Sequence, residues 1–287
     1  MRRLDITHVT EYEFATPVTL LPHRLLLRPR ESHTLRLESS TLTIRPAHTI
    51  RWHRDALDNS VASVRFLVPS DSLRVVSNLA VEVYDDAPLD FVVEDYAVTY
   101  PFDYALDEQP DLAAFRQSVY RQDQFTVNQW LGGLGCLPGP VETFVLLDRM
   151  NRDIASRFFY KAREAPGVQS PSQTLANRSG SCRDFAALFM EACRHLGLAS
   201  RFVSGYLDIS ATSGGNASTH AWAEVYLPGP GWKGFDPTSG VLTDNRHIPI
   251  AVARHPEAVP PVAGSFVGPA VPRPVPMVSV RVTSPDR

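Results

Sequence analysis

Residues 179–197 read Ser-Gly-Ser-Cys-Arg-Asp-Phe-Ala-Ala-Leu-Phe-Met-Glu-Ala-Cys-Arg-His-Leu-Gly. Ser181 is a good N-cap, and Asp184 three residues later resembles its partner in a capping box. The pattern therefore predicts a helix over 182–196, closed by Gly197 at the C′ position. At ~100° per residue, Phe185, Ala186, Phe189, Ala192, Cys193 and Leu196 share one face. Cys182 points into that arc, so its sulfur faces whatever the helix packs on. As the first helical residue, Cys182 meets unpaired backbone N–H groups and the positive end of the helix dipole. Both favour thiolate over thiol. Asp184 is read as a cap rather than a catalyst, and Cys193, about three turns further on, as core.

The next segments read as strands over 200–208, 219–227 and 232–236. Leu227-Pro228-Gly229-Pro230-Gly231 is an obvious turn. An antiparallel hairpin centred on Pro228 sets His220 and Asp236 nearly opposite on neighbouring strands, where Cβ atoms lie ~5 Å apart. Packing the helix on this sheet gathers a thiol, an imidazole and a carboxylate. Nucleophilic acyl chemistry needs all three. Cys182 attacks a carbonyl. His220 stabilises the thiolate and protonates the leaving amine. Asp236 fixes the tautomer and orientation of His220. The Cys182 backbone N–H is placed to donate to an oxyanion, with Asn177 and Trp222 as candidates for a second donor. Trp222 shares the strand face of His220, where it either walls a substrate channel or sits in the core. Taken singly, each residue has a plain structural explanation; Phe235-Asp236-Pro237-Thr238, for instance, reads equally as a strand end with an Asx-type turn. Their order and contexts fit one site.

Outward from this segment, the chain has 287 residues, which suggests about two domains. Residues 1–100 are rich in alternating and β-branched stretches separated by Arg45-Pro46, Asp58-Asn59-Ser60 and Pro69-Ser70-Asp71, the pattern of a sandwich or small barrel. Helices are expected over 111–117, 124–131 and 141–159, and a loop over 166–171. Nine of the 24 prolines fall in residues 249–287, which leaves room there for one edge strand, over 278–282. Residues 81–111 hold ten acids and no basic residue, a run that reads as a solvated strand face and connector.

With 28 basic and 31 acidic residues, a dedicated nucleic-acid binder is not expected. No apolar run reaches the ~18 residues a membrane span needs, and Met1-Arg2-Arg3-Leu4-Asp5 leads into no signal-like stretch. Three cysteines, Cys136, Cys182 and Cys193, argue against a disulfide framework or structural zinc and for a reducing cytoplasm. No histidine set is recognisable as metal-binding, so no cofactor or metal is expected. Cys136 reads as packing.

The residues Gly180-Ser181-Cys182-Arg183-Asp184-Phe185-Ala186, His220-Ala221-Trp222 and Gly231-Trp232 to Asp236-Pro237-Thr238 together resemble the transglutaminase-like superfamily. Ser204-Gly205-Tyr206 is similar to that family's strand between the nucleophile helix and the histidine. His8, Thr10, Tyr12, Pro17-Val18, Pro22-His23 and Leu27-Arg28-Pro29-Arg30 resemble the N-terminal β region of its bacterial members. The resemblance implies an α+β fold. An N-terminal antiparallel β-sandwich-like domain (1–105) would precede a papain-like, transglutaminase-like core (106–255) and a Pro-rich tail (256–287). It also implies a triad of Cys182, His220 and Asp236, acting on protein, peptide or amide substrates through a thioester passed to an amine or to water. No acidic cluster matches the calcium sites of the animal enzymes. The alternatives are a strict cysteine peptidase and a non-catalytic binding module on the same fold.

Overall fold

The computed structural model describes residues 1–84, 87–135, 139–163, 167–209, 216–269 and 275–284. The first six strands are β1 (Arg2–Leu20), β2 (His23–Leu25), β3 (Leu35–Arg45), β4 (His48–Arg54), β5 (Ser60–Phe66) and β6 (Ser70–Val83). β1 and β3 flank β6 in one antiparallel sheet, while β2 and β4 flank β5 in another. Alternating residues of both sheets, among them Val18, Leu25, Ile44, Val64, Leu73 and Val75, close a buried core between them. That is the sandwich arrangement of two half-buried sheets.

The middle of the chain is helical: α1 (Glu108–Arg116), α2 (Gln124–Gly133), α3 (Thr143–Arg157), α4 (Pro171–Asn177) and α5 (Cys182–His195). Two short ladders lie among them, β7 (Thr99–Tyr100) with β8 (Val141–Glu142), and β9 (Phe159–Tyr160) with β10 (Ser179–Gly180). The helix α4 begins inside a stretch expected to be loop. Its local signals are Ser170 as N-cap, Pro171 in the first turn and Gln173 completing a capping box.

The helix α5 is central, not peripheral. Beyond its apolar face, Asp184, Glu191 and Arg194 are also buried. Glu191 accepts from Ser118 Oγ (2.6 Å), the Val119 amide (3.0 Å) and Arg194 Nη1 (2.7 Å), and Arg194 Nη2 donates to the carbonyls of Ser200 and Arg254. Every buried charge on the helix is thus paired, as burial requires.

On its other side α5 packs on β11 (Ser200–Leu207) and β12 (Asn216–Leu227). β13 (Gly231–Asp236), β14 (Val241–Leu242) and β15 (His247–Ala253) extend this part of a sheet that, among the described residues, has ten strands and also takes in β1, β6 and β3. The strand order is β14-β13-β12-β11-β15, so β15 crosses back to the far side of β11. One core joins Phe185, Leu188 and Phe189 of α5, Ala223, Val225 and Phe235 of the sheet, and Leu4, Ile6 and Val81 of the sandwich.

β16 (Val262–Ala263) and β17 (Phe266–Val267) add to β2 and β1. β18 (Met277–Thr283) pairs with β1 from Asp5↔Thr283 to Glu11↔Met277 and touches β12 at Asn216↔Arg281 and Ala217↔Val280. The C-terminal strand expected at an edge is therefore enclosed. Val280 and Val282 are buried in the shared core, and that burial holds the strand between its two neighbours.

Candidate active site

Cys182 opens α5, and a polar socket sets its position. Asp184 accepts from the Ser181 amide and hydroxyl (both 2.8 Å), the Gln169 amide (2.8 Å) and Arg163 Nη1 (2.7 Å). Burial works against its charge, but the Ser181 and Gln169 amides and Arg163 hold the carboxyl below its usual range. Asp184 is wholly buried and acts as the cap.

The hairpin of β12 and β13 runs from Leu227↔Gly231 to Ala223↔Phe235. The turn centres on Gly229, one residue beyond Pro228, because Gly229 takes φ +99° and a Cβ there would lie 2.6 Å from the Val92 carbonyl. Asp236 is therefore two residues out of register with His220, not opposite it. Both still project to one face, since a strand alternates with period two. His220 Nε2 lies 2.9 Å from Asp236 Oδ2. The same imidazole hydrogen-bonds Cys182, which leaves Nδ1 for the sulfur. Thiol, imidazole and carboxylate form one chain.

The chain is electrostatically tuned. Burial disfavours a charged His220, but its hydrogen bonds to Asp236 and Cys182 outweigh that and raise its pKa to about 10. Burial likewise opposes the Asp236 carboxylate, yet hydrogen bonds from His220 and His247 hold it well below the carboxylate range. Cys182 is half-buried, whereas Cys193 is sealed in the core and burial pushes its thiol up. Cys136 lies outside the described residues.

The other two candidates are placed elsewhere. Trp222 is 1% exposed and packs with Val203 and Val252, with its ring edge-on to His247 at 5.3 Å. It backs the histidines from the core side and lines no open channel. Asn177 is exposed, and its amide donates to Gln169 Oε1 at 3.0 Å. Beside Cys182, β9 instead presents Phe159 and Tyr160 to solvent, and partial burial together with the nearby Cys182 raises the Tyr160 pKa.

Three residues emerge only from the structure. Asp236 Oδ2 also accepts from Ser239 Oγ at 2.7 Å and faces His247 Nε2 at 3.4 Å, while His247 Nδ1 lies 3.1 Å from Asp244 Oδ1. The Thr238 amide (2.9 Å to Oδ1) fits the Asx-type reading of 235–238, which stops short of Ser239. His247 and Asp244 had no such signal.

His220, Asp236 and His247 present ligand atoms within 4.8 Å of one another. Asp236 Oδ2 is already in contact with His220, Ser239 and His247, so a cation there would displace those contacts and strip His220 of its carboxylate. The arrangement is that of a hydrogen-bond network, and no metal is assigned to it.

A helix-borne cysteine packed on an antiparallel sheet that carries histidine and aspartate defines a cysteine-type catalytic fold. Residues 4–82 match the bacterial transglutaminase-like N-terminal region, and residues 145–237 match the transglutaminase-like superfamily. The chain belongs to the transglutaminase-like superfamily. The Mycobacterium tuberculosis (strain H37Rv) protein Rv2569c is 30% identical over 284 residues, covering 91% of this chain and 87% of its own. Mycobacterium leprae ML0607 is 24% identical over 276 residues, covering 93% and 94%. A crystal structure from Cytophaga hutchinsonii, of a protein proposed to be a cysteine protease, superposes with a TM-score of 0.73. It shares 18% identity and the match covers 100% of this chain and 91% of that one.

Proposed function

We propose that the protein is a cysteine-dependent enzyme that cleaves amide bonds through a thioester on Cys182, with His220 and Asp236 completing the triad. The observation that carries this reading is the continuous hydrogen-bonded chain from Cys182 through His220 to Asp236 at a helix N-terminus. Cys182 Sγ adds to the carbonyl carbon. The oxyanion meets the Cys182 amide, which the first helical position leaves without an intrahelical partner. His220 gives its Nδ1 proton to the departing amine as the C–N bond breaks, leaving the thioester. An incoming amine or water then loses a proton to Nδ1 as it attacks, and Cys182 leaves as the thiolate, which restores the starting thiolate–imidazolium pair. Asp236 keeps Nε2 protonated throughout and so holds Nδ1 towards the sulfur.

The exposed Tyr160 ring, which interacts with Cys182, offers an aromatic contact beside the nucleophile for a peptide or protein substrate. The need for a free thiol suits a reducing cytoplasm. Among the described residues no helix is long and apolar enough to cross a membrane.

Iodoacetamide labelling with peptide mapping tests the reading. At pH 6 an ordinary thiol is almost wholly protonated and labels slowly. Cys182 should label at least tenfold faster than the same residue in His220→Ala, and Cys193 should stay unlabelled in the folded protein. Cys182→Ser should then abolish turnover across a panel of glutamine-amide and peptide substrates. Slow labelling that is indifferent to His220, or an active Cys182→Ser protein, overturns the reading.

A further inference from the structure

We propose that His247 is a positioning residue: its Nε2–H donates to Asp236 Oδ2 and braces that carboxylate against His220. The inference rests on the triad reading above and deepens it. The His247 side chain is 2% exposed, and its Nε2 lies 3.4 Å from Asp236 Oδ2. That separation is long, in keeping with a brace that shares its acceptor with Ser239 at 2.7 Å.

The surroundings decide the tautomer. The backbone N–H of Asp244 donates to His247 Nδ1 across 3.1 Å. A neutral ring must keep its Nδ1 lone pair there, which puts the proton on Nε2. If the ring becomes imidazolium, Nδ1–H meets Asp244 Oδ1 at 3.1 Å, and Nε2 still carries a proton. The remaining form, neutral with Nδ1–H, also reaches Asp244 Oδ1, but it sets that proton against the Asp244 amide proton and an Nε2 lone pair against the Asp236 carboxylate, which already bears on His220. Only the forms with a proton on Nε2 meet that carboxylate with a donor, and the geometry at Asp236 selects them.

The ring is held for this task. The His247 amide donates to the Asp244 carbonyl (2.9 Å), and the Arg246 amide and Nε fasten the Asp244 carboxylate at 3.0 and 2.9 Å. Trp222 stands edge-on behind it. The charged and titratable groups facing His247 are Asp236 from β13, His220 from β12 (ring centroids 6.1 Å apart), and Asp244 with Arg246 from the turn before β15. An aspartate turns easily about its terminal torsion. The Thr238 amide fixes Oδ1, while Ser239 and His247 approach Oδ2 from separate elements, and together they define the plane that His220 Nε2 meets.

Two measurements on the full chain test this. Long-range ¹⁵N–¹H correlation spectra of ¹⁵N-histidine-labelled protein should show His247 protonated at Nε2, alone or with Nδ1. A neutral ring protonated only at Nδ1 overturns the proposal without any variant. The second measurement is the iodoacetamide labelling rate of Cys182 from pH 5 to 9 in wild type, His247→Gln and His247→Met. Glutamine keeps an N–H donor, and methionine fills similar volume without one. Methionine should slow labelling about tenfold and displace the pH profile, and glutamine should restore both to within about threefold. Equal rates and profiles in the two variants overturn the proposal. If wild-type Cys182 labels no faster than in His220→Ala, it is the triad reading that has failed, and the His247 tautomer still reports on the brace itself.

Discussion

At His220, burial and hydrogen bonding pull in opposite directions, and hydrogen bonding wins. Its folded pKa of about 10 lies above the ordinary 6.5, so the folded state binds the extra proton. The stability this contributes is fully present below about pH 6.5 and is lost as pH rises through about 10. Asp236 has the opposite sign: its depressed value stabilises above the ordinary carboxylate range and fails only in strong acid. The melting temperature of wild type should therefore exceed that of His220→Gln by the widest margin near pH 6. Calorimetry should show the margin shrinking by pH 10.5, and a constant or growing margin would contradict the assignment. The grouping of His220 with Asp236 was legible because a Pro-Gly-Pro-Gly turn announces a hairpin, and a two-residue slip in its register leaves both side chains on one face. Trp222 was harder to place, since a strand face shared with His220 does not say which end of the side chain meets solvent. His247 was illegible because it joins the site from β15, across the sheet from its neighbours in sequence, and nothing between Asp236 and His247 marks the crossing.

At the scale of elements, the return of β15 to the far side of β11 depends on Gly205. A Cβ there would stand 2.2 Å from the Ile248 carbonyl and 2.6 Å from the Trp222 ring. The β11–β15 register shifts between Ser204 and Gly205, where the absent side chain lets the β15 backbone close in. That approach delivers His247, the first residue of β15, to Asp236. Gly205→Ala forces the strand or Trp222 outward, and urea denaturation should show a loss of about 1–3 kcal/mol. The same variant should slow Cys182 labelling, because the displaced strand carries the brace. An unchanged midpoint would mean that the close approach costs nothing to relieve. The helix that Cys182 opens was readable from its cap and its apolar period. Its central place was not, because an i,i+3 pair such as Glu191 and Arg194 looks solvent-facing until the further partners Ser118, Val119 and the Arg254 carbonyl, which come from other segments, are known.

Across the whole molecule, the N-terminal sandwich meets the sheet that carries His220 and Asp236 through specific polar contacts rather than apolar packing alone. His8 bridges Tyr206 of β11 (2.9 Å) and Thr10 (2.8 Å), its pKa lowered to about 4 by burial, and Arg2 pairs with Asp208. The contact with most reach into the site is Asn59. Its Nδ2 donates to the Val252 carbonyl and its Oδ1 accepts from the Val252 amide, both at 2.8 Å. A side-chain amide thus stands in for a neighbouring strand along β15, whose opposite edge is paired with β11. The Arg30 amide does the same for the Pro249 carbonyl at 3.0 Å. A buried backbone donor and acceptor left without partners cost about 1–3 kcal/mol each. Asn59→Ala should therefore lower stability by about 2–4 kcal/mol in urea titrations, far more than the removal of a loop side chain that makes no such bonds. Asn59→Asp separates the two halves of the contact. The carboxylate still accepts from the Val252 amide but faces the Val252 carbonyl with a second acceptor, so it should destabilise at neutral pH and recover as acid protonates it. If Asn59→Ala melts with wild type, the sandwich does not support β15, and the strand that carries His247 is held by β11 and the core alone.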